Sequence, residues 1–225
     1  MTQPKKVLLS WSSGKDSAWA LHVLRQQTDV EVVGLMSTFN ESADRACMHA
    51  VRRELVEAQA RAADLPLESV FLPRPCSNEQ YEEEMRQVVD RAKAQGVTHI
   101  AFGDLFLEDI RAYRIEKMAG TGVEPLFPIW TTAESTLELA RQMQSAGLTA
   151  IVTCVDPKQL DESYVGRRWD PEMISELPDG VDPCGENGEF HSFCFAGPCF
   201  DEPIDVTVGE IVNRDGFVFA DVLPA

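Results

Sequence analysis

The chain has 225 residues and a mass of 25.0 kDa, room for one large domain or two small ones. Hydrophobic residues make up 44% and charged residues 25%, which excludes wholesale disorder. Twenty Lys and Arg against 37 Asp and Glu give a net charge of −17, a field that repels phosphate backbones, so no direct nucleic-acid partner is expected. No apolar run approaches the roughly 18–20 residues that cross a bilayer, and the three apolar residues before Ser10 are too few for a signal peptide. A cytoplasmic chain without a membrane partner is expected.

In chain order, residues 6–10 read as a short strand, followed by a Ser/Gly turn and a helical pattern from Asp16 through Ala18, Leu21 and Leu24 to Gln27. Residues 30–36 read as a second strand and residues 45–63 as a helix ending before Pro66. Residues 67–72 read as a strand, and 78–95 as a charged helix closed by Gly96. A strand over 98–102, a helix over 105–118, a helix over 132–146 and a strand over 148–155 complete the alternation. Strands separated by helices imply βαβ crossovers and a mainly parallel, doubly wound α/β sheet of Rossmann-like type. After Asp156 the pattern breaks into Pro/Gly-rich chain. It ends in strand-like runs at 190–195, 205–212 and 217–222, the last two joined at the hairpin signal Asn213-Arg-Asp-Gly216. The expected division is an α/β domain over 1–128 and a smaller α+β domain over 129–225.

Six cysteines, at 47, 76, 154, 184, 194 and 199, form no C-x-x-C pair, and buried thiols are expected of them. Cys184, His191, Cys194 and Cys199 cluster in sequence, but their spacings fit no common zinc site.

Ser10-Trp-Ser12-Ser13-Gly14-Lys15-Asp16-Ser17 falls between the end of the first strand and the start of the first helix. In an α/β sheet this is where anions bind: small residues admit a phosphate, and the helix start offers unpaired N–H groups and partial positive charge. Lys15 can offset phosphate charge. Asp16 has the wrong sign for that and is assigned to Mg²⁺. A Walker A loop is excluded, because its Gly and Ser/Thr positions hold Leu9 and Asp16. The plain alternative is a capped helix start, which needs fewer of these residues.

Ser12-Ser-Gly-Lys-Asp-Ser17 resembles the S-G-G-K-D-S pyrophosphate loop (PP-loop) of the N-type ATP pyrophosphatases, with Ser13 in place of the first Gly. Three further stretches resemble one branch of that superfamily, the diphthine–ammonia ligase family and its bacterial relatives. They are His49-Ala-Val-Arg-Arg-Glu54 with Gln59-Ala60, Phe102-Gly-Asp-Leu-Phe-Leu-Glu-Asp-Ile-Arg-Ala-Tyr-Arg114, and Cys184-Gly-Glu-Asn-Gly-Glu-Phe-His-Ser-Phe195. The resemblance covers residues 5–200. It implies ATP and Mg²⁺ as cofactors, ATP cleavage to AMP and pyrophosphate, adenylation of a substrate carboxylate, and ammonium as nucleophile. The acceptor it implies is modified elongation factor 2 or a small carboxylate, and a homodimer is the expected assembly.

Expected roles follow residue by residue. ATP falls to Ser10, Ser12, Ser13, Gly14, Lys15, Asp16, Ser17 and Gly103, with Met36 at the adenine. Lys15, Asp16, Asp104, Glu186, Glu189 and His191 are the expected catalytic group. Arg111 and Arg114, at i and i+3, are read as a clamp for a carboxylate or phosphate beside Glu108, against the alternative of a surface ion-pair face. Asn187 is expected to help bind the substrate amine. A glutamine-hydrolysing domain with a nucleophilic Cys is not expected, residue 2 being Thr2. The rival readings are a non-catalytic ATP/AMP sensor on the same fold, and a sulfur-transfer or redox enzyme using Cys184, Cys194 or Cys199.

Overall fold

The computed structural model describes residues 3–47 and 49–225; Thr2 lies outside the described residues. The N-terminal part runs β1 (Lys5–Ser10), α1 (Lys15–Arg25), β2 (Val30–Asn40), β3 (Arg45–Ala46), α2 (Arg53–Ala62), β4 (Leu67–Leu72), α3 (Asn78–Ala94), β5 (His99–Ala101), α4 (Glu108–Met118) and β6 (Glu124–Leu126). The parallel strands lie in the order β4-β2-β1-β5-β6, with β3 a two-residue antiparallel strand beside β2. Alternation along β1 explains why both sheet faces are covered. Val7 and Leu9 point into the core formed with α1 and α2, and Leu8 points into the core formed with α3 and α4. This is the doubly wound sheet that the sequence pattern predicts.

Strand order reverses at β1, which has β2 on one side and β5 on the other. The carboxyl ends of β1 and β5 therefore flank a crevice, the place where open α/β sheets hold ligands.

The remainder runs α5 (Thr136–Ser145), β7 (Thr149–Val155), α6 (Pro171–Ser175), β8 (Phe190–Ala196), β9 (Val206–Arg214) and β10 (Phe217–Pro224). Its strands form a separate antiparallel sheet in the order β8-β7-β10-β9. The β9–β10 turn is Asp215-Gly216, with φ of +55° and +84°, the left-handed pair of a two-residue type I′ hairpin. One core joins this sheet to the α1 and α2 side of the first: Phe190, Phe193 and Trp169 share it with Leu21, Leu24 and Leu55.

Three elements differ from the sequence expectation. The helix expected over 45–63 starts only at Arg53. Asp44 and Ala50 adopt φ of +51° and +54°, and Ala46 N–H bonds the Val51 carbonyl while Cys47 N–H bonds Thr38 of β2. These bonds hold Ala46, Cys47 and Ala50 outside the helix, although the apolar spacing of the stretch mimics one. β6 was not expected because it contains Pro125. As the edge strand of its sheet it tolerates a residue without an N–H. Finally, β7 does not continue the parallel layer but pairs antiparallel with β8 and β10.

Candidate functional site

The phosphate-type loop is held from beneath by one buried side chain. Gln59 of α2, fully buried, accepts from Trp11 Nε1 at 2.8 Å and donates from Nε2 to the carbonyls of Ser13 at 2.9 Å and Cys194 at 2.6 Å. Cys194 N–H also bonds the Ser13 carbonyl, and Ser192 Oγ accepts from Lys15 N–H at 3.3 Å. The loop is therefore fixed to β8 at the moment both sheets are folded. Gly103 abuts the other side: a Cβ there would stand 3.1 Å from Ser17 N, so a larger residue would push the chain after β5 a few tenths of an ångström off the first turn of α1.

Ser13 and Gly14 lie in the body of the loop rather than on its open face. Ser13 has φ of +70°, and its buried Oγ has no hydrogen-bond partner. Both features penalise a side chain at this position. Ser13→Gly is therefore expected to stabilise the protein by about 1 kcal/mol, after allowing for the freer unfolded chain. Urea denaturation of the two proteins checks this, and equal midpoints would refute it.

The open face is a cleft of about 240 Å³. Ser10, Ser12, Lys15, Asp16, Ser17, Gly103, Asp104, Arg114, Glu186 and His191 line it, so residues from all the quoted motifs converge there. Lys15 is 2% exposed. Its Nζ donates to Asp16 Oδ2 at 2.9 Å and to the Cys184 carbonyl, 5.5 Å from the Trp169 ring centre and 5.3 Å from that of Phe190. Burial is the largest single influence and opposes this charge, but Asp16, Cys184 and Asp182 together outweigh it and hold the Lys15 pKa above its ordinary value. For Asp16 the balance is reversed: burial outweighs Lys15 and lifts the carboxyl above the ordinary range. Asp16 Oδ1 is buried with no partner.

The segment before β8 folds over this pair. It turns at Gly185, φ +70°, where a Cβ would lie 2.7 Å from the Phe190 carbonyl oxygen. Glu186 Oε1 accepts from Leu105 N–H at 2.7 Å, and its pKa is pushed up to about 7 by burial, with Asp16 and Asp104 adding to the rise. The His191 and His49 rings lie 4.6 Å apart, centre to centre. Burial pushes His191 down to about 4 and His49 to about 3, so both are neutral imidazoles at neutral pH.

Several expected residues stand elsewhere. Glu189 is buried away from the cleft, its Oε1 accepting from Asp182 N–H at 2.9 Å and Asn187 Nδ2 at 3.0 Å; it shapes the turn. Asn187 is exposed behind that turn. Met36 lines an adjoining cavity of about 460 Å³ between α3 and α4, which shares Phe102 and Arg114 as walls with the cleft. The Arg111–Arg114 clamp does not form. Arg114 lies 4.5 Å from the Phe102 ring, with Nε 3.4 Å from Asp104, whereas Arg111 stacks 4.6 Å from the Trp130 ring, outside the cleft. Glu108 is exposed and, among the described residues, its ion-pair contact is with Arg111, at 4.0 Å. Each arginine has its own aromatic platform, and those platforms override helical spacing.

His49 is the clearest residue that was not singled out as a site residue. It sits within a quoted motif, and the structure shows that it lines the cleft and packs on His191. Cys184, Cys194 and Cys199 are buried, and burial raises all three thiols above their ordinary pKa. Such thiols are poor nucleophiles, which weighs against sulfur or redox chemistry.

The strand order, with the loop at its reversal point, makes this a Rossmann-like α/β protein. Residues 5–123, more than half of the chain, match the family model for the diphthamide synthase N-terminal domain, and residues 135–221 match the one for the C-terminal domain. The chain belongs to the diphthamide synthase family. It is 28% identical to human diphthine–ammonia ligase over 157 residues and 27% identical to the bovine one over 156, in each case 65% of this chain and 56% of the relative. It therefore spans a little over half the length of those relatives. The mouse diphthine–ammonia ligase is 25% identical over 237 residues, 94% of this chain and 86% of the relative.

Proposed function

We propose that this protein is an ATP-dependent, amide-forming ligase of the diphthine–ammonia ligase type, with ATP bound over residues 1–128 and the acceptor held against residues 129–225. The observation that carries this reading is the closure of the 184–192 segment on the phosphate loop. It sets Lys15, Asp16, Asp104, Glu186 and His191 around one cleft, more than ATP binding alone requires.

In this reading the phosphates lie over Ser10–Ser17, bonded by hydroxyls and helix-start N–H groups, while the adenine enters the cavity walled by Met36 and Phe102. The acceptor carboxylate attacks the α-phosphorus and pyrophosphate leaves. Lys15 and the loop amides stabilise the charge that accumulates on phosphorus-bound oxygens. Ammonium, held at Glu186, gives up a proton to that carboxylate; the ammonia formed attacks the acyl carbon, and the adduct releases a second proton to solvent as AMP leaves with the electron pair of the broken acyl–oxygen bond. A carboxyl poised near neutral pH suits this exchange. Neutral His191 and His49 offer a ring nitrogen without adding a competing cation.

Mg²⁺ usually takes one or two protein carboxylates and completes its shell with phosphate oxygens and water, and the unpartnered Asp16 Oδ1 fits that demand. When bound, it would neutralise phosphate charge.

The test is incubation with α-labelled ATP, Mg²⁺, ammonium and modified elongation factor 2 or a panel of small carboxylic acids. AMP with pyrophosphate is expected. ADP would refute α–β cleavage, and tight ATP binding with no turnover under any of these conditions would favour the sensor.

A further inference from the structure

A third cavity, of about 320 Å³, lies between the β2–β4 end of the first sheet and one face of the second. His191 lines both it and the phosphate-loop cleft, so the two meet at that imidazole. Its floor can be followed strand by strand. His191 of β8 pairs with Cys154 of β7, Cys154 with Phe219 of β10, and Phe217, two residues away on the same face, with Arg214 of β9. Three strand spacings of about 4.8 Å and a two-residue step of about 6.6 Å along the strand put the Arg214 backbone about 16 Å from that of His191. The floor between them is thiol and aromatic.

The charge at the far end runs against the rest of the molecule. Arg45, Arg74 and Arg214 line the cavity, with Asp215 the one carboxylate among its described lining residues. Arg74 pairs with Asp215 at 2.6 Å, and Arg45 shares Asp221 with Arg52. Arg214 makes no ion pair among the described residues, its guanidinium lying 4.9 Å from the Phe219 ring centre. A chain of net charge −17 thus presents an uncompensated guanidinium at the end of an apolar floor that begins at the reaction centre.

We infer that this cavity is the acceptor pocket, and that the acceptor is a small carboxylic acid with an apolar body and a second anionic group at its far end. The inference rests on the function proposed above and names its substrate class. The reacting carboxylate sits at His191, facing the α-phosphorus; the body lies over Cys154 and Phe219; the distal anion meets Arg214. Adenylation and amide formation are as written above, and the distal group is unchanged by them. An acid carrying a cationic end group would meet like charge there.

Calorimetry without ATP tests the pocket by itself. The probes are the α,ω-dicarboxylates from succinate to sebacate, the monocarboxylates of equal length, and the matching ω-trimethylammonio acids, titrated at millimolar concentration into the full chain. One or more dicarboxylates are expected to bind at least about tenfold tighter than the matching monocarboxylates, the value of a charge-assisted hydrogen bond. Arg214→Glu is expected to abolish that preference, and Arg214→Gln to weaken it, while ATP titration reports whether each variant is folded. No dicarboxylate binding, equal affinity for the monocarboxylates, tighter binding of the trimethylammonio acids, or a preference that survives Arg214→Glu would each overturn the inference. Formation of ADP in the nucleotide assay would overturn the adenylation reading alone, so the two failures are separable.

Discussion

Lys15→Met is expected to destabilise the protein by about 2–4 kcal/mol, and Lys15→Met/Asp16→Asn is expected to recover most of that loss. The reasoning follows from the pair's surroundings. Lys15 is enclosed, and removing its charge leaves the Asp16 carboxyl without its counter-ion beside Glu186, so that it must either stay charged away from most of the solvent or take up a proton in the folded state. Breaking one side of a buried pair costs about 3–5 kcal/mol; the lower figure here reflects the partial exposure of Asp16. Methionine keeps the volume under Trp169 and Phe190, so the change reports charge rather than a cavity. Asparagine then removes the stranded charge and keeps the shape. Activity should not follow stability: both variants are expected to lose AMP formation by at least about a hundredfold, because the cation facing the phosphates is gone in each. Urea denaturation and the labelled-ATP assay check the two halves. A stable Lys15→Met would show that Asp16 is not stranded, and AMP formation near the wild-type rate would remove Lys15 from the chemistry.

Local signals were readable in the sequence, and signals assembled through space were not. The phosphate loop is eight contiguous residues between a strand and a helix, so its place at the end of β1 follows from pattern alone. Gly103 and Asp104 were readable for the same reason, since they follow β5. The turn at Glu186 was readable as a motif. What was hidden is which carboxylate faces the cleft: Glu186 does, while Glu189, three residues on, is turned into Asp182 N–H. His49 gains its setting from a histidine on a strand of the other sheet, with no spacing to reveal it. Arg111 and Arg114 share helical spacing, but Trp130 and Phe102 come from other segments and draw the two guanidinium groups apart. β7 carries the same apolar run after a helix as a parallel strand would. Only pairing with β8, about forty residues later, assigns it to the antiparallel sheet. The cavity floored by Cys154 and Phe219 draws Arg45 from β3, Arg74 from the chain after β4 and Arg214 from β9, and was invisible at the level of motif.

Glu186→Gln is expected to stabilise the protein in alkaline solution and to leave it nearly unchanged in acid. The Glu186 carboxyl has an ordinary pKa of 4.5 and is pushed to about 7 in the folded chain, first by burial and then by the charges of Asp16 and Asp104. Between those two values the folded state holds a proton that the unfolded state has lost. The stability contributed by that proton is therefore full below about 4.5 and is lost as pH rises through about 7. Glutamine is neutral throughout, and its Oε1 can still accept from Leu105 N–H. At about pH 8.5 the variant should exceed the wild type by about 1–3 kcal/mol, a range lowered from the full shift because the residue is only partly buried. Near pH 4.5 the difference should shrink to within about 0.5 kcal/mol. Denaturant unfolding at the two pH values measures both, and a pH-independent difference would show that the carboxyl is not perturbed. The same substitution removes the group proposed to take a proton from ammonium, so amide formation should fall by about a hundredfold or more while stability rises. In the wild type, amide formation should decline as pH falls below about 7, where Glu186 becomes protonated and can no longer act as the base. A stability gain paired with an activity loss would mean that Glu186 is held in an environment that suits its proton transfer at the expense of the fold.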